Sequence, residues 1–131
     1  MLTSYDTFIY YQNVLYIMSV TIVYKKDDTV PLQYTIEEWN IDTQGTEPFD
    51  LSNSDVTFSL FDTDAVAIIE DQPCSVVTAT EGLVEYAWAT GETDTAGMYR
   101  AIFRVINSEG KVSTFPEYDI QWLWIVDDSK M

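Results

Sequence analysis

The feature that most restricts this chain is a period of two. From Val20 onward, short runs of β-branched and aromatic residues alternate apolar with polar, and turn residues interrupt them roughly every 8 to 12 positions. Val20, Ile22 and Tyr24 alternate with Thr21 and Val23, and Lys25-Lys26-Asp27-Asp28 ends the run. Leu32, Tyr34 and Ile36 alternate with Gln33 and Thr35, as Val56, Phe58 and Leu60 do with Thr57 and Ser59. Ala65 to Ile69, Val76 to Ala79 and Leu83 to Ala89 read as further short strands, the last with Val84, Tyr86 and Trp88 on one face. In the run from Met98 to Ile106, Tyr99, Ala101, Phe103 and Val105 are expected inward and Arg100 and Arg104 outward. Asn107-Ser108-Glu109-Gly110 then turns the chain back into Lys111 to Phe115, and Ile120 to Val126 is the final strand. Glu37 to Ser54 reads as one long polar connection, and nothing after Met18 sustains a helical period. Strands with one apolar face bury it by stacking sheets, so the pattern predicts an all-β antiparallel sandwich.

Charge and missing residue types narrow the function. The 131 residues suit one domain, and 22 acids against 6 bases give a net charge of −16. Nucleic-acid phosphates and anionic membrane surfaces both require clustered Lys and Arg, so neither is an expected partner. There is no histidine, which removes the commonest general base and most zinc sites. Cys74 is the single cysteine; it cannot close an intrachain disulfide, and no imidazole can activate it. Asp62, Asp64, Glu70, Asp71, Glu92 and Asp94 could crowd at one end of a sandwich, but without a calcium-loop pattern they read as solvated acidic loops. No catalytic residue, metal or cofactor is expected. Trp39, Trp122 and Trp124 could stack on sugars, which makes a carbohydrate-binding host-adhesion module the alternative function, whereas Trp88 and Tyr99 read as core.

Two regions carry more apolar surface than a lone sandwich needs. Residues 1–17 contain no Lys or Arg, and Asp6, Gln12 and Asn13 interrupt their apolar residues, unlike a secretory signal or a membrane span. They read as an N-terminal arm outside a domain of residues 18–131, either a bare extension or an arm that docks on a neighbouring subunit. Met18-Ser19, just before the first clear strand, is a candidate start. In the last strand Ile120, Trp122, Trp124 and Val126 share one face, yet Leu123 and Ile125 make the other apolar too. Tyr5, Phe8, Tyr10, Tyr11 and Val14, with Leu123 and Ile125 as an outer face, form the expected protein interface.

Asp94-Thr95-Ala96-Gly97-Met98-Tyr99 has the D-x-x-G-x-Y form of the tyrosine corner of immunoglobulin-like domains, carried by Asp94, Gly97 and Tyr99. An antibody-type domain places a cysteine two residues after the tyrosine, where this chain has Ala101. Asp28-Thr29-Val30-Pro31-Leu32 opens one strand, and Gly45-Thr46-Glu47-Pro48-Phe49-Asp50-Leu51 leads towards Val56-Thr57-Phe58. Gly82-Leu83-Val84-Glu85-Tyr86-Ala87-Trp88 precedes the tyrosine corner, and Gly110-Lys111-Val112-Ser113-Thr114-Phe115-Pro116 leads into the final strand. In this order and spacing, residues 20–126 resemble the N-terminal immunoglobulin-like domain of the phage baseplate upper protein family. The resemblance implies an immunoglobulin-like antiparallel β-sandwich with a short N-terminal extension. It also implies a non-enzymatic bacteriophage virion structural protein, made in the host cytoplasm and placed in tail, baseplate, neck or capsid surface. Other virion structural proteins, or further copies of the chain, would be its partners. The coiled coil and receptor-directed region of the long family members are not in this sequence, and the Tyr-rich N-terminal segment is an addition.

Overall fold

Alternation of side chains becomes strands almost wherever it occurs. The computed structural model describes residues 3–11, 14–117 and 120–127, with side chains from residue 21 onward. Its strands are β1 (Thr3–Tyr11), β2 (Val14–Lys25), β3 (Leu32–Thr35), β4 (Glu37–Asn40), β5 (Gly45–Pro48) and β6 (Asp55–Phe61). They continue with β7 (Ala67–Pro73), β8 (Ser75–Thr78), β9 (Leu83–Tyr86), β10 (Gly97–Ile106), β11 (Val112–Phe115) and β12 (Gln121–Val126). A three-residue 3-10 turn, Ala79–Glu81, is the only helical segment among the described residues. The chain is therefore all-β.

Three sheets divide these strands. The largest runs β1-β2-β12-β10-β6-β7, and β11 pairs β10 beyond the start of β12. A second sheet has the order β3-β9-β8, and β4 and β5 form a hairpin. Neighbours in the large sheet are antiparallel except β12 and β2, which run parallel with Trp122 opposite Thr21 and Val126 opposite Lys25. Aromatic rings join the first two sheets face to face, an arrangement compatible with a β-sandwich. Tyr34 of β3 stacks on Phe103 of β10 at 4.3 Å, and Phe58 of β6 lies 4.6 Å from Tyr86 of β9. Pairs of this kind add about 0.5–1.5 kcal/mol each to the burial of their area. Phe58, Phe103, Leu60, Val84 and Leu32 between them are almost wholly excluded from solvent. Gly82 closes the end of this core. Its φ is +68°, and a Cβ there would lie 2.4 Å from the Ile36 carbonyl oxygen, so the junction of β3 and β9 has room only for glycine.

Three sequence expectations meet a different structure. The stretch from Glu37 to Ser54 is not one connection but contains β4 and β5, paired from Glu37 opposite Pro48 to Asn40 opposite Gly45. Neither strand has a fully buried residue and Trp39 is half exposed, so this hairpin leaves no apolar alternation to read. Local hydrogen bonds hold its turn: Asn40 Oδ1 accepts the Asp42 and Thr43 backbone N–H groups. The expected arm is drawn into the large sheet, since β1 pairs with β2 along its whole length and the 17/18 boundary falls inside β2. Finally, Leu123 and Ile125 are not an outer face. Both are at most 1% exposed, because β12 lies opposite β10 with Leu123 facing Tyr99 and Ile125 facing Gly97. Directly opposed residues share a face, and Tyr99 points into the core.

Candidate functional site

The tyrosine-corner residues meet where the chain enters β10. The Tyr99 hydroxyl donates to the Thr95 carbonyl at 2.7 Å, closing a loop of four residues while its ring is buried. Gly97 lies against that ring; a Cβ there would be 3.6 Å from both its edge and its hydroxyl. Asp94 accepts from the Thr95 hydroxyl at 3.2 Å and stays near the phenol. Burial, then the Asp62 and Asp94 carboxylates, raise the Tyr99 pKa above the ordinary phenol value. This is a structural device that fixes the start of β10.

The interface residues expected at the N-terminus lie on one strand pair. In the backbone register Tyr5 is opposite Thr21, Phe8 opposite Ile17, Tyr10 opposite Leu15 and Tyr11 opposite Val14; their side chains are outside the described residues. Only Thr21 to Lys25 of β2 pair with β12, so Val14 to Val20 have β1 as their sole partner strand among the described residues. β1 is itself an edge of the large sheet. From Thr7 through Tyr24 the sequence has no charged residue, in a chain with 28 of them among 131.

The opposite edge, β7, is built differently. Its ladder with β6 is broken twice, between Phe58 and Leu60 and between Leu60 and Phe61. Asp71 there has a left-handed backbone, φ +47°, and its N–H donates to the Ser59 hydroxyl at 2.9 Å. Its carboxylate folds over the sheet, where Arg104 Nη1 donates to both oxygens at 2.8 and 2.9 Å. The pair is roughly 40% exposed and contributes under about 1 kcal/mol; what it adds is a fixed bulge. Pro73 then removes a backbone donor from the edge. The sequence reading passed over this assembly, although Glu70-Asp71 followed by Pro73 inside a strand was a legible sign of a protected edge.

Between the edges, the outer face of the large sheet carries Trp124, 43% exposed, with half-buried Trp122 two residues before it. Arg100 stands beside them with its guanidinium carbon 5.6 Å from the centre of the Phe61 ring. Trp39 lies apart, on the β4–β5 hairpin. The acids named from sequence serve separate local roles. Asp62 caps the turn before β7 by accepting the Asp64 and Val66 N–H groups, and Glu92 accepts the Tyr86 hydroxyl at 2.8 Å and the Ala89 N–H at 2.7 Å. Cys74 is half-buried, and burial pushes its thiol up to about 12, far from a reactive thiolate. Two depressions of about 190 and 270 Å³, one beside Arg100 and Ile120 and one beside Trp88 and Asp27, are smaller than the roughly 300–1,000 Å³ of small-molecule sites. No protein-family model matches this chain, and a search of curated protein sequences finds no match.

Proposed function

We propose that this chain is a non-enzymatic bacteriophage virion structural protein, an immunoglobulin-like module that attaches to neighbouring subunits through its N-terminal strand pair. The observation that carries the reading is the charge-free run from Thr7 to Tyr24, which supplies the Thr7–Tyr11 part of the open β1 edge and most of the β2 strand behind it, in a chain of net charge −16. An acidic body repels like-charged neighbours, so an uncharged edge is the natural place for contact. The strand distribution supports the immunoglobulin-like part. β12, β10, β6 and β7 share one sheet and β3, β9 and β8 the other, as variable-type domains divide their strands, and Tyr99 bonds upstream from near the start of β10 as a tyrosine corner does. The resemblance of residues 20–126 to the phage baseplate upper protein domain supplies the virion setting.

Immunogold labelling of purified particles with antibody to this chain tests the reading, together with a version beginning at Met18. Label at regular positions on the particle, lost when residues 1–17 are removed, is the expected result. Label confined to the soluble fraction, or a truncated chain that joins the particle normally, sinks it. The adjacent Trp122 and Trp124 favour carbohydrate adhesion as a second reading, for which saturable binding on a glycan array, lost in Trp124→Ala, is the test.

A further inference from the structure

Every sheet that ends in solvent presents a row of backbone donors and acceptors, and soluble proteins usually blunt such edges with charge, proline or a bulge. The large sheet does this at β7, with Asp71, Pro73 and two register breaks. At β1 it does not. Beyond Asp6 the strand is Thr7-Phe8-Ile9-Tyr10-Tyr11, without charge or proline, and its one register shift lies between Thr7 and Phe8. Among the described residues, Val14 to Val20 of β2 pair with β1 alone, and a two-stranded ribbon alone is marginal in water. The edge therefore asks for one more strand.

We infer that β1 pairs antiparallel with β1 of a second copy across a two-fold axis near Ile9, joining the two large sheets into one. The inference names the occupant of the edge on which the proposed attachment rests. Three observations select a second copy. An uncharged edge offers nothing to a basic partner, which the acidic body would attract instead. An antiparallel strand pairs with its own two-fold image, so one surface serves both copies and the assembly closes at two. The geometry also answers the −16 charge of each chain. Five strand spacings of about 4.8 Å would separate β12 of one copy from β12 of the other, roughly 24 Å, well beyond the screening length of about 8 Å at physiological salt. The ribbons, charge-free from Thr7 to Tyr24, thus act as spacers between two acidic bodies. The protected β7 edge keeps the joined sheet from growing at its far ends.

Sedimentation of the full chain from about 1 to 100 µM, at roughly physiological salt, is the test. The expected result is a species of twice the 15.0 kDa chain mass that grows no further, with backbone amides between Thr7 and Tyr11 protected from hydrogen exchange at high concentration and not at low. Ile9→Asp should weaken the dimer at least tenfold without moving the melting midpoint measured at the low concentration where the unaltered chain is monomeric. Val112→Asp, on an exposed position of β11, should leave the dimer intact. The amide measurement uses the unaltered chain, so a misfolded variant cannot obscure the answer. A monomer at every concentration overturns the inference, as does a dimer with no protection along β1 or growth without limit. Binding to neutral phosphatidylcholine vesicles without dimerisation would identify a lipid surface as the occupant and overturn it too. A monomeric chain that still needs residues 1–17 to join particles would leave the proposed function standing; a dimer whose removal does not affect particle attachment would do the reverse.

Discussion

The two edges of the large sheet present the same backbone chemistry and opposite treatment of it. At β7 the ladder is broken twice, an aspartate sits in the left-handed region and is held by Arg104, and a proline ends the strand. At β1 the strand runs on through five uncharged residues, four of them large and apolar, with backbone groups along its outer side that have no partner strand among the described residues. The difference teaches that apolar content alone does not separate a core strand from a docking strand. β6 is as apolar as β1, but β6 lies between β7 and β10 and beneath the aromatic rings of the second sheet. Position in the strand order, with the presence or absence of edge protection, makes the distinction.

Removing the protection of β7 should have the largest effect. A chain carrying Asp71→Val with Pro73→Thr would present two open edges, and association through two edges has no closed end point. Mass measured by light scattering should rise continuously with concentration, while circular dichroism keeps its strand signature. A double variant that behaves like the unaltered chain would mean that these residues do not guard the edge. The tyrosine corner supplies the converse case, a change confined to the body. Tyr99→Phe leaves the Thr95 carbonyl without its buried donor and should cost about 1–3 kcal/mol, read as a lower urea midpoint with the same denaturant slope. Self-association should not change. An unaltered midpoint would remove Tyr99 as an anchor of β10.

Much of this body was legible in the sequence because each inner strand carries a one-sided apolar alternation. Phe103 and Val105 point inward and Arg104 outward, as their period of two requires. Leu123 and Ile125 were harder, since β12 is apolar on both faces and its own sequence cannot choose between them. The choice comes from pairing with β10, a long-range relation set by Tyr99 and Gly97. The β4–β5 hairpin was illegible for a different reason: with no buried face it has no alternation, and its order depends on Asn40 bonding to its own turn. The N-terminal segment lacks a clean period too: Tyr5, Phe8, Ile9 and Gln12 have helix-like spacing, while Tyr10, Tyr11, Val14 and Tyr16 suit a strand equally well. At β7 the charges and proline of Glu70-Asp71-Gln72-Pro73 stand in the local sequence, but the bonds from Asp71 to Ser59 and Arg104, partners 12 and 33 residues away, are recorded by no local pattern.

A smaller and more gradual effect is expected in alkali, and it begins where β7 gives way to β8. Cys74 follows Pro73 directly, and burial holds its thiol protonated to about 12 against an ordinary value of 9.0. Burial likewise raises the phenols of Tyr24, Tyr86 and Tyr99 above 10.0, the second cause at Tyr86 being its bond to Glu92. Between the unfolded and folded values the unfolded chain binds fewer protons, so stability falls as pH rises. It is fully present below pH 9 and declines from there, first through the thiol and then, above 10, through the phenols as well. Urea midpoints across pH 7–11.5 should therefore stay level and then drop, and Cys74→Ser should move the onset towards pH 10. An onset unmoved by that substitution would assign the whole decline to the phenols and to charge repulsion.

The smallest effect separates the turn before β7 from the strand itself. Ala65 adopts φ +64°, a conformation that costs an ordinary residue about 1–2 kcal/mol and costs glycine no steric strain. Its side chain is exposed, so its removal gives up little packing. The turn is otherwise well made: Asp62 Oδ1 accepts from Asp64 and Val66, and the Asp62 N–H donates to the Val66 carbonyl at 3.0 Å. Glycine loses more backbone entropy on folding, about 0.5–1 kcal/mol, which offsets part of the relief. Ala65→Gly should therefore stabilise the fold by about 0.5 kcal/mol, a small rise in urea midpoint with no change in the mass of the assembly. A fall in the midpoint would show that Ala65 is not in the left-handed region. A gain in stability accompanied by larger assemblies would mean that the turn, rather than Asp71 and Pro73, keeps β7 from pairing.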